Sequence, residues 1–229
     1  MLDDRLQDML GRVVESAIQT GEPVGSQYLV ERYKLNISPA TVRNYLAELE
    51  ECGYLMQPHT SSGRIPTEKG YAYYIESIMR PRMLSKKEIN ELHASLEHTQ
   101  EDNRRIKSLA KTAADLAQNA VVVGLNEADS YYTGLSNLFT QSEFKDWSRI
   151  VSMSDILDRL DDVLIELRQQ QYSKPTILIG SQCPFGSMCG SVIISLSPNA
   201  MLCILGPIRM DYSLSVALLE NIQSVFNQN

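Results

Sequence analysis

Apolar residues recur at helical spacing from Asp3 to Thr20, where Leu6, Met9, Leu10, Val13, Val14, Ala17 and Ile18 form one stripe. Asp3 or Asp4 is placed to cap this helix. The polar turn "TGEPVGS" ends it, and Ser26 is expected to cap a short second helix that runs to about Tyr33 and buries Leu29 and Val30. After "KLNI", the signals in "SPATVRNYLAELEECGYL" agree with one another. The Ser38 hydroxyl can accept from the free amides of a first helical turn. Pro39 at the first helical position gives up no needed hydrogen bond. Val42, Leu46 and Leu49 supply an apolar stripe, and Gly53 can adopt the left-handed conformation that ends a helix. Tyr54 to Gln57 then reads as a strand, "PHTSSG" as a turn in which Gly63 supplies the turn conformation, and Arg64–Ile65 as the returning strand. Thr67 caps a further helix to about Met79. Three helices followed by a two-stranded hairpin is the order of a winged helix-turn-helix.

"RPRML" breaks the chain near Pro81. From Ser85 to about Ala120 a thin seam of Ile89, Leu92, Leu96, Ile106, Ala113, Leu116 and Ala120 predicts a long, bent helix, too weakly apolar for an isolated coiled coil. The remainder reads as α+β. "NAVVVGL" and "PTILIG" are expected strands. "GSVIISLSPNAMLCILGP" is an expected hairpin turning at "SPNA". Asp155–Gln170 and Ser213–Phe226 are expected helices. The organisation that follows is a winged helix-turn-helix over residues 1–80, a helical linker over 81–120 and a small α+β domain over 121–229.

Composition narrows the function. A chain of 229 residues with 43% hydrophobic residues is long enough for two small cores. No apolar run approaches the roughly 18 residues of a membrane span. The acidic, amphipathic start "MLDDRLQDML" is unlike a signal or transit peptide, so the expected location is the cytoplasm. Cys52, Cys183, Cys189 and Cys203 are too scattered for a disulfide framework or a zinc site. The net charge of −7 weighs against nucleic-acid binding. Residues 1–80 hold 8 basic against 11 acidic side chains, 81–112 hold 7 against 5, and 113–229 hold 6 against 12. Any DNA contact must therefore come from a few well-placed cations.

The third helix offers such placement. With Val42, Leu46 and Leu49 turned inward, about 100° per residue sends Ala40, Asn44, Ala47 and Glu51 outward, with Thr41 and Glu48 on one flank and Arg43 on the other. Asn pairs with adenine and Arg with guanine in the major groove, and Ala40 is small enough to approach a thymine methyl. Ser38, Ala40, Thr41, Arg43 and Asn44 are the candidate groove residues. Thr60, Ser61, Ser62 and Arg64 are candidates on the hairpin, where Arg64 can reach a phosphate or a narrow minor groove. Lys69 is a candidate phosphate contact, and Ser26 can offer its amide to phosphate at a helix start. Catalysis finds no support. His59, His93 and His98 match no metal spacing, and "GSQCPFGSMCG" lacks the lysine and spacing of a phosphate loop. Asp158, Asp161, Asp162 and Glu166 read as a solvated acidic face, and Arg209 and Asp211 as a local ion pair fixing a turn. No enzyme activity, cofactor or metal is expected.

The segments "EPVGS", "SPATVRN" and "QPHTSSGRIPT-KGY", and at the other end "NLFTQSEFKD" and "GPIRMDY", closely resemble the HrcA family of bacterial heat-inducible transcription repressors. The first of these matches covers residues 1–80 almost without gaps. The resemblance implies a winged-helix homodimer that binds an inverted-repeat operator in double-stranded DNA upstream of chaperone genes. It also implies a GAF-like second domain and a link to the GroE chaperonin. The family's typical members are longer. Here "NAVVVGLNEADSYYTGL" passes directly from the first strand of the GAF-like region to its later part, where the family carries an inserted dimerisation domain and more of the sheet. A dimer would then use the 85–120 helix or the reduced C-terminal domain. Two other readings stand beside the repressor. One is a regulator gated by a small molecule in the GAF-like domain. The other is a protein-interaction module that has lost DNA binding, which the acidic charge favours.

Overall fold

The computed structural model describes residues 2–60, 62–96, 102–126 and 129–227. The chain divides into two compact units, Met1–Arg80 and Pro81–Asn229.

The first unit is built from α1 (Asp4–Thr20), α2 (Ser26–Tyr33), α3 (Pro39–Glu51), the two-stranded antiparallel pair β1 (Leu55–Met56) and β2 (Ile65–Pro66), and α4 (Glu68–Tyr73), which runs on as a wider π-helical turn over Tyr74–Ile78. The Asp3 carboxylate caps α1 by accepting from the Leu6 amide at 2.9 Å. The α1 stripe is buried as its spacing requires, with Leu10, Val13 and Val14 fully enclosed. Val42 and Leu49 of α3 and Leu29 of α2 are equally enclosed. Gly53 follows α3 at φ +76°, the left-handed conformation expected there. One expectation fails: Ser26 does not cap α2. Gly25 is the N-cap, without a side-chain bond, and Ser26 is the first helical residue. The helix starts one residue earlier than expected: directly after Val24, which pairs with Arg64, the Gly25 carbonyl already accepts from the Leu29 amide at 3.1 Å, so Ser26 falls inside the first turn.

The second unit is mixed α and β. Its sheet contains β3 (Ala120–Asn126), β4 (Asp129–Thr133), β5 (Thr176–Ile179), β6 (Cys189–Ser197) and β7 (Ala200–Pro207), in the order β4-β3-β7-β6-β5 with every neighbour antiparallel. The expected hairpin at "SPNA" is the β6–β7 connection, with Ser197 opposite Ala200. Both central strands are almost wholly buried because both faces are covered. One face carries Ala120, Val122, Ile193, Met201, Cys203 and Leu205. These pack with Leu138 of α7 (Leu135–Phe139), Met153 of α8 (Trp147–Asp158) and Leu160, Leu164 and Leu167 of α9 (Leu160–Arg168). The alternate residues, such as Val121, Val192 and Ile204, lie on the other face. There α6 (Asp102–Ala117) packs on β3 and β7, and α10 (Tyr212–Asn227) packs on β6.

The segment read as a linker lies in this second unit. α5 (Lys86–Ala94) starts with a capping box, in which Ser85 accepts from the Glu88 amide while the Glu88 carboxylate accepts from the Ser85 amide. Residues 97–101, the middle of the expected long helix, lie outside the described residues. The expected Asp155–Gln170 helix is two helices meeting at Arg159, whose φ of −109° and ψ of 24° leave the helical region. The break places Asp161 and Asp162 in the first turn of α9, where the free amides and helix dipole favour carboxylates. Arg209 and Asp211 do not pair with each other. Arg209 holds Glu143 at 2.5 and 3.0 Å and Gln141 at 2.8 Å, while Asp211 accepts from the Leu214 amide at 2.9 Å and so caps α10. An arginine fork satisfies a carboxylate at a neighbouring element better than a side chain two residues away in a tight turn.

Cys183, Cys189 and Cys203 are buried and Cys52 is exposed. Burial pushes Cys189 up to about 12 and raises Cys183 and Cys203 as well. These three thiols stay protonated at neutral pH and shielded from reagents. Thiol titration with a disulfide reagent at pH 7 is therefore expected to modify Cys52 quickly and the other three only on unfolding. Rapid native reaction of Cys189 or Cys203 would contradict the packing of this core.

Candidate nucleic-acid interface

α3 is held by contacts at both of its ends. At its start, the Ser38 hydroxyl accepts from the Thr41 amide at 3.1 Å and lies 2.9 Å from the Thr41 hydroxyl. At its end, the Lys69 ammonium donates to the Cys52 carbonyl at 2.8 Å and sits 4.4 Å from the centre of the Tyr54 ring. A cation there complements the negative end of the helix. Between these ends, Val42, Leu46 and Leu49 fix the buried face, and Ala40, Arg43 and Asn44 are left exposed on the first two turns. Thr41 is half-buried.

The state of the cations matters more than their number. Arg5 is bound to Asp3 and Arg12 to Asp8. Arg32 donates to Gln19. Arg64, whose side chain is only 18% exposed, donates through Nε to Glu50 at 2.8 Å. Lys69 is engaged as described. Lys34, Arg43 and Arg80 are exposed, with no side-chain ion pair or hydrogen bond among the described residues, and of these three Arg43 is the one that stands on α3.

The hairpin is anchored on three sides. Val24 and Arg64 exchange backbone hydrogen bonds, the Val24 amide to the Arg64 carbonyl at 2.8 Å and the Arg64 amide to the Val24 carbonyl at 2.9 Å. The "EPVGS" segment thus lays a third strand-like residue against β2. Gly63 is needed for this approach. It does not take the left-handed turn conformation expected of it; instead, a Cβ there would run into the backbone of Pro23 and Val24. Within the hairpin, the Gln57 amide donates to the Thr60 and Ser62 carbonyls, both at 2.9 Å. The Ser62 hydroxyl donates to the His59 carbonyl at 2.7 Å and accepts from the His59 amide at 3.0 Å. Ser62 braces the tip, whereas Thr60 is exposed. Ser61 lies outside the described residues.

The structure thus gathers Ser38, Ala40, Thr41, Arg43 and Asn44 on one end of α3, and gives Ser62, Arg64 and Lys69 internal partners. Ser26 stands at the start of α2, half-buried. Sequence reading missed Val24, Gln57 and Glu50. A lone valine between Pro23 and Gly25 in a polar loop was a signal, because such a residue seldom stays exposed; it is 2% exposed here. Gln57 and Glu50 carried no signal, since their partners are set only by the fold.

The chain matches the family model of the HrcA protein C-terminal domain over residues 76–216, more than half of its length. The chain belongs to the HrcA family. Among curated relatives, the heat-inducible transcription repressor HrcA of Pelotomaculum thermopropionicum is 54% identical over 87 residues, 38% of this chain and 25% of that protein. The HrcA repressor of Thermobifida fusca is 39% identical over 123 residues, 54% of this chain and 36% of that protein. The chain thus spans only a quarter to about a third of the length of these relatives. A hypothetical protein of known crystal structure shares the fold with a TM-score of 0.79 at 17% identity, covering 100% of this chain and 98% of its own.

Gly63 gives this arrangement a sharp test. Gly63→Ala is expected to destabilise the first unit by about 1–3 kcal/mol, because backbone rather than a flexible side chain must move. Chemical denaturation followed by far-ultraviolet circular dichroism would measure this. A variant as stable as the parent would show that the hairpin does not press on Val24.

Proposed function

We propose that the first unit is a winged helix-turn-helix with α3 as its recognition helix, and that the chain is a sequence-specific repressor of heat-shock genes. The observation that carries the reading is Arg43 and Asn44, side by side, exposed and without side-chain partners among the described residues, at the start of a capped helix. Membership of a family whose curated members are heat-inducible transcription repressors supports it.

In this reading Arg43 and Asn44 meet base edges or phosphates in the major groove, Ala40 lets the helix approach closely, and Ser38 and Thr41 offer hydroxyls at its rim. The Ser26 end of α2 presents first-turn amides to the backbone of the duplex. Thr60 offers an exposed hydroxyl on the wing, while Ser62, Arg64 and Lys69 act by holding wing and helix in register. Two copies bind, because an inverted-repeat operator is matched by a two-fold protein. We read the second unit as a reduced GAF-like domain that supplies the dimer surface, and the GroE chaperonin as the partner that couples repression to folding stress. The work is done in the cytoplasm.

Fluorescence anisotropy with an inverted-repeat duplex and a scrambled one tests this. The repeat should bind more tightly, with a salt slope reporting a few phosphate contacts per subunit. Arg43→Ala and Asn44→Ala should each weaken specific binding roughly 5- to 150-fold, the worth of one good base contact. Arg64→Ala and Glu50→Ala should both weaken it by loosening the wing, with the salt slope unchanged. Equal affinity for the two duplexes at low and moderate salt would sink the repressor reading, and would favour the interaction module that the net charge of −3 over residues 1–80 allows.

A further inference from the structure

With α3 as the recognition helix proposed above, its two flanks have different work to do. The major groove of B-DNA is about 12 Å wide, and an α-helix with its side chains is about 10–12 Å across. A helix in that groove fills it, so each flank faces a wall of phosphates. On α3, Arg43 stands on one flank and is the only basic residue of the helix. The other flank carries Thr41 and, one turn on, Tyr45, both half-buried, followed by the exposed Glu48. That flank has no cation of its own.

α1 supplies one. The Arg5 guanidinium lies over the Tyr45 ring, 5.7 Å from its centre, and the Arg5 side chain is 66% exposed. Asp3 holds this arginine by a single oxygen. Its Oδ1 caps α1 by accepting from the Leu6 amide, and its Oδ2 accepts from both Nε and Nη2 of Arg5. Three of the five guanidinium N–H groups remain for other acceptors. An ion pair this exposed contributes little to stability, so a phosphate can share or replace it at small cost. The Tyr45 ring keeps the cation beside α3 while the pairing changes, because attraction to the ring face does not require the N–H groups.

We infer that Arg5 is a second DNA-contacting cation: it donates to a backbone phosphate on the wall along the Thr41–Tyr45 flank, opposite the flank of Arg43. Tyr45 is its positioning residue. The contact reads no base, because it reaches only the backbone. It also opposes Glu48, which stands on the same flank about 4.5 Å beyond Tyr45 at 1.5 Å per residue. Spacing within α3 gives no sign of Arg5, since packing of α1 on α3 brings it to this flank.

Fluorescence anisotropy over a salt series tests this with the full chain, an inverted-repeat duplex and a scrambled one. Arg5→Ala should weaken binding to both duplexes by the same factor, roughly tenfold at moderate salt. It should also lower the slope of log affinity against log salt by about 0.9 for each subunit bound. Arg5→Lys keeps the charge and should keep the slope. Tyr45→Leu should weaken binding roughly two- to fivefold in the parent and have no effect in Arg5→Ala. Asp3→Asn keeps the helix cap, removes the competing charge and should tighten both complexes by up to about fivefold.

Arg5→Ala with the affinity and salt slope of the parent would overturn the proposal. If Arg5→Ala does not fold, Asp3→Asn still decides, and unchanged or weaker binding by that variant would also overturn it. A loss confined to the inverted repeat would overturn the phosphate assignment, and equal effects of Tyr45→Leu in both backgrounds would remove the role of Tyr45. A parent chain that binds both duplexes equally sinks the repressor reading and leaves the Arg5 contact measurable on either duplex. A parent that binds neither overturns both.

Discussion

Val24 and Arg64 exchange two backbone hydrogen bonds, 2.8 and 2.9 Å long, and the geometry of the first unit descends from that exchange. It holds Val24 extended and buried, which makes Gly25 the last residue before α2 and sets where that helix begins. It brings the backbone of the hairpin against Pro23 and Val24, so that only a residue without a side chain fits at position 63. It also fixes the direction in which Arg64 leaves the strand, toward Glu50 on the last turn of α3. A single pairing outside the two named strands thus connects the start of α2, the hairpin and the end of α3. Removing it would cost more than two hydrogen bonds, because each of those elements takes its position from it.

What could be read from the sequence divides along that line. The helices of the first unit were legible because their causes are local. An aspartate at position 3 and a serine at 38 cap the turns that follow them, and a stripe such as Val42, Leu46 and Leu49 can face only one way. The hairpin was legible from turn chemistry. Its anchoring was not, because an ion pair between residues 50 and 64 and a bridge between 24 and 64 depend on chain segments that meet only after folding. Gly63 shows the difference well. A glycine in a turn-rich stretch invites a conformational explanation, yet its φ is ordinary and the constraint is steric contact from elsewhere.

The second unit repeats the lesson at larger scale. β6 and β7 read as continuous apolar runs, which is what strands covered on both faces require. α6 read as a thinly apolar linker because most of what it buries is alanine, Ala110, Ala113, Ala114 and Ala117, and small residues let a helix lie close on a sheet. The kink at Arg159 and the distant partners of Arg209 were invisible, since both follow from how α8, α9 and the α7 region close over the sheet.

Charge is the remaining constraint on the proposed DNA-binding surface, because an ion pair takes one acid and one cation together and leaves residues 1–80 at −3. Of the acids in residues 1–80, Asp3, Asp8 and Glu50 face arginines, so their fields are largely cancelled at short range. At 1.5 Å per residue along the α3 axis, the exposed Glu48 stands about 7.5 Å from Arg43, inside the roughly 8 Å Debye length of physiological salt, and Glu51 about 12 Å, beyond it. The first turns of α3 therefore present Arg43 without an ion pair among the described residues, and the unpaired carboxylate nearest along the helix is that of the exposed Glu48. A net negative count describes the whole surface. At this end of the helix, Arg43 and the positive end of the helix dipole act on an arriving phosphate against Glu48 about one and a half turns further along.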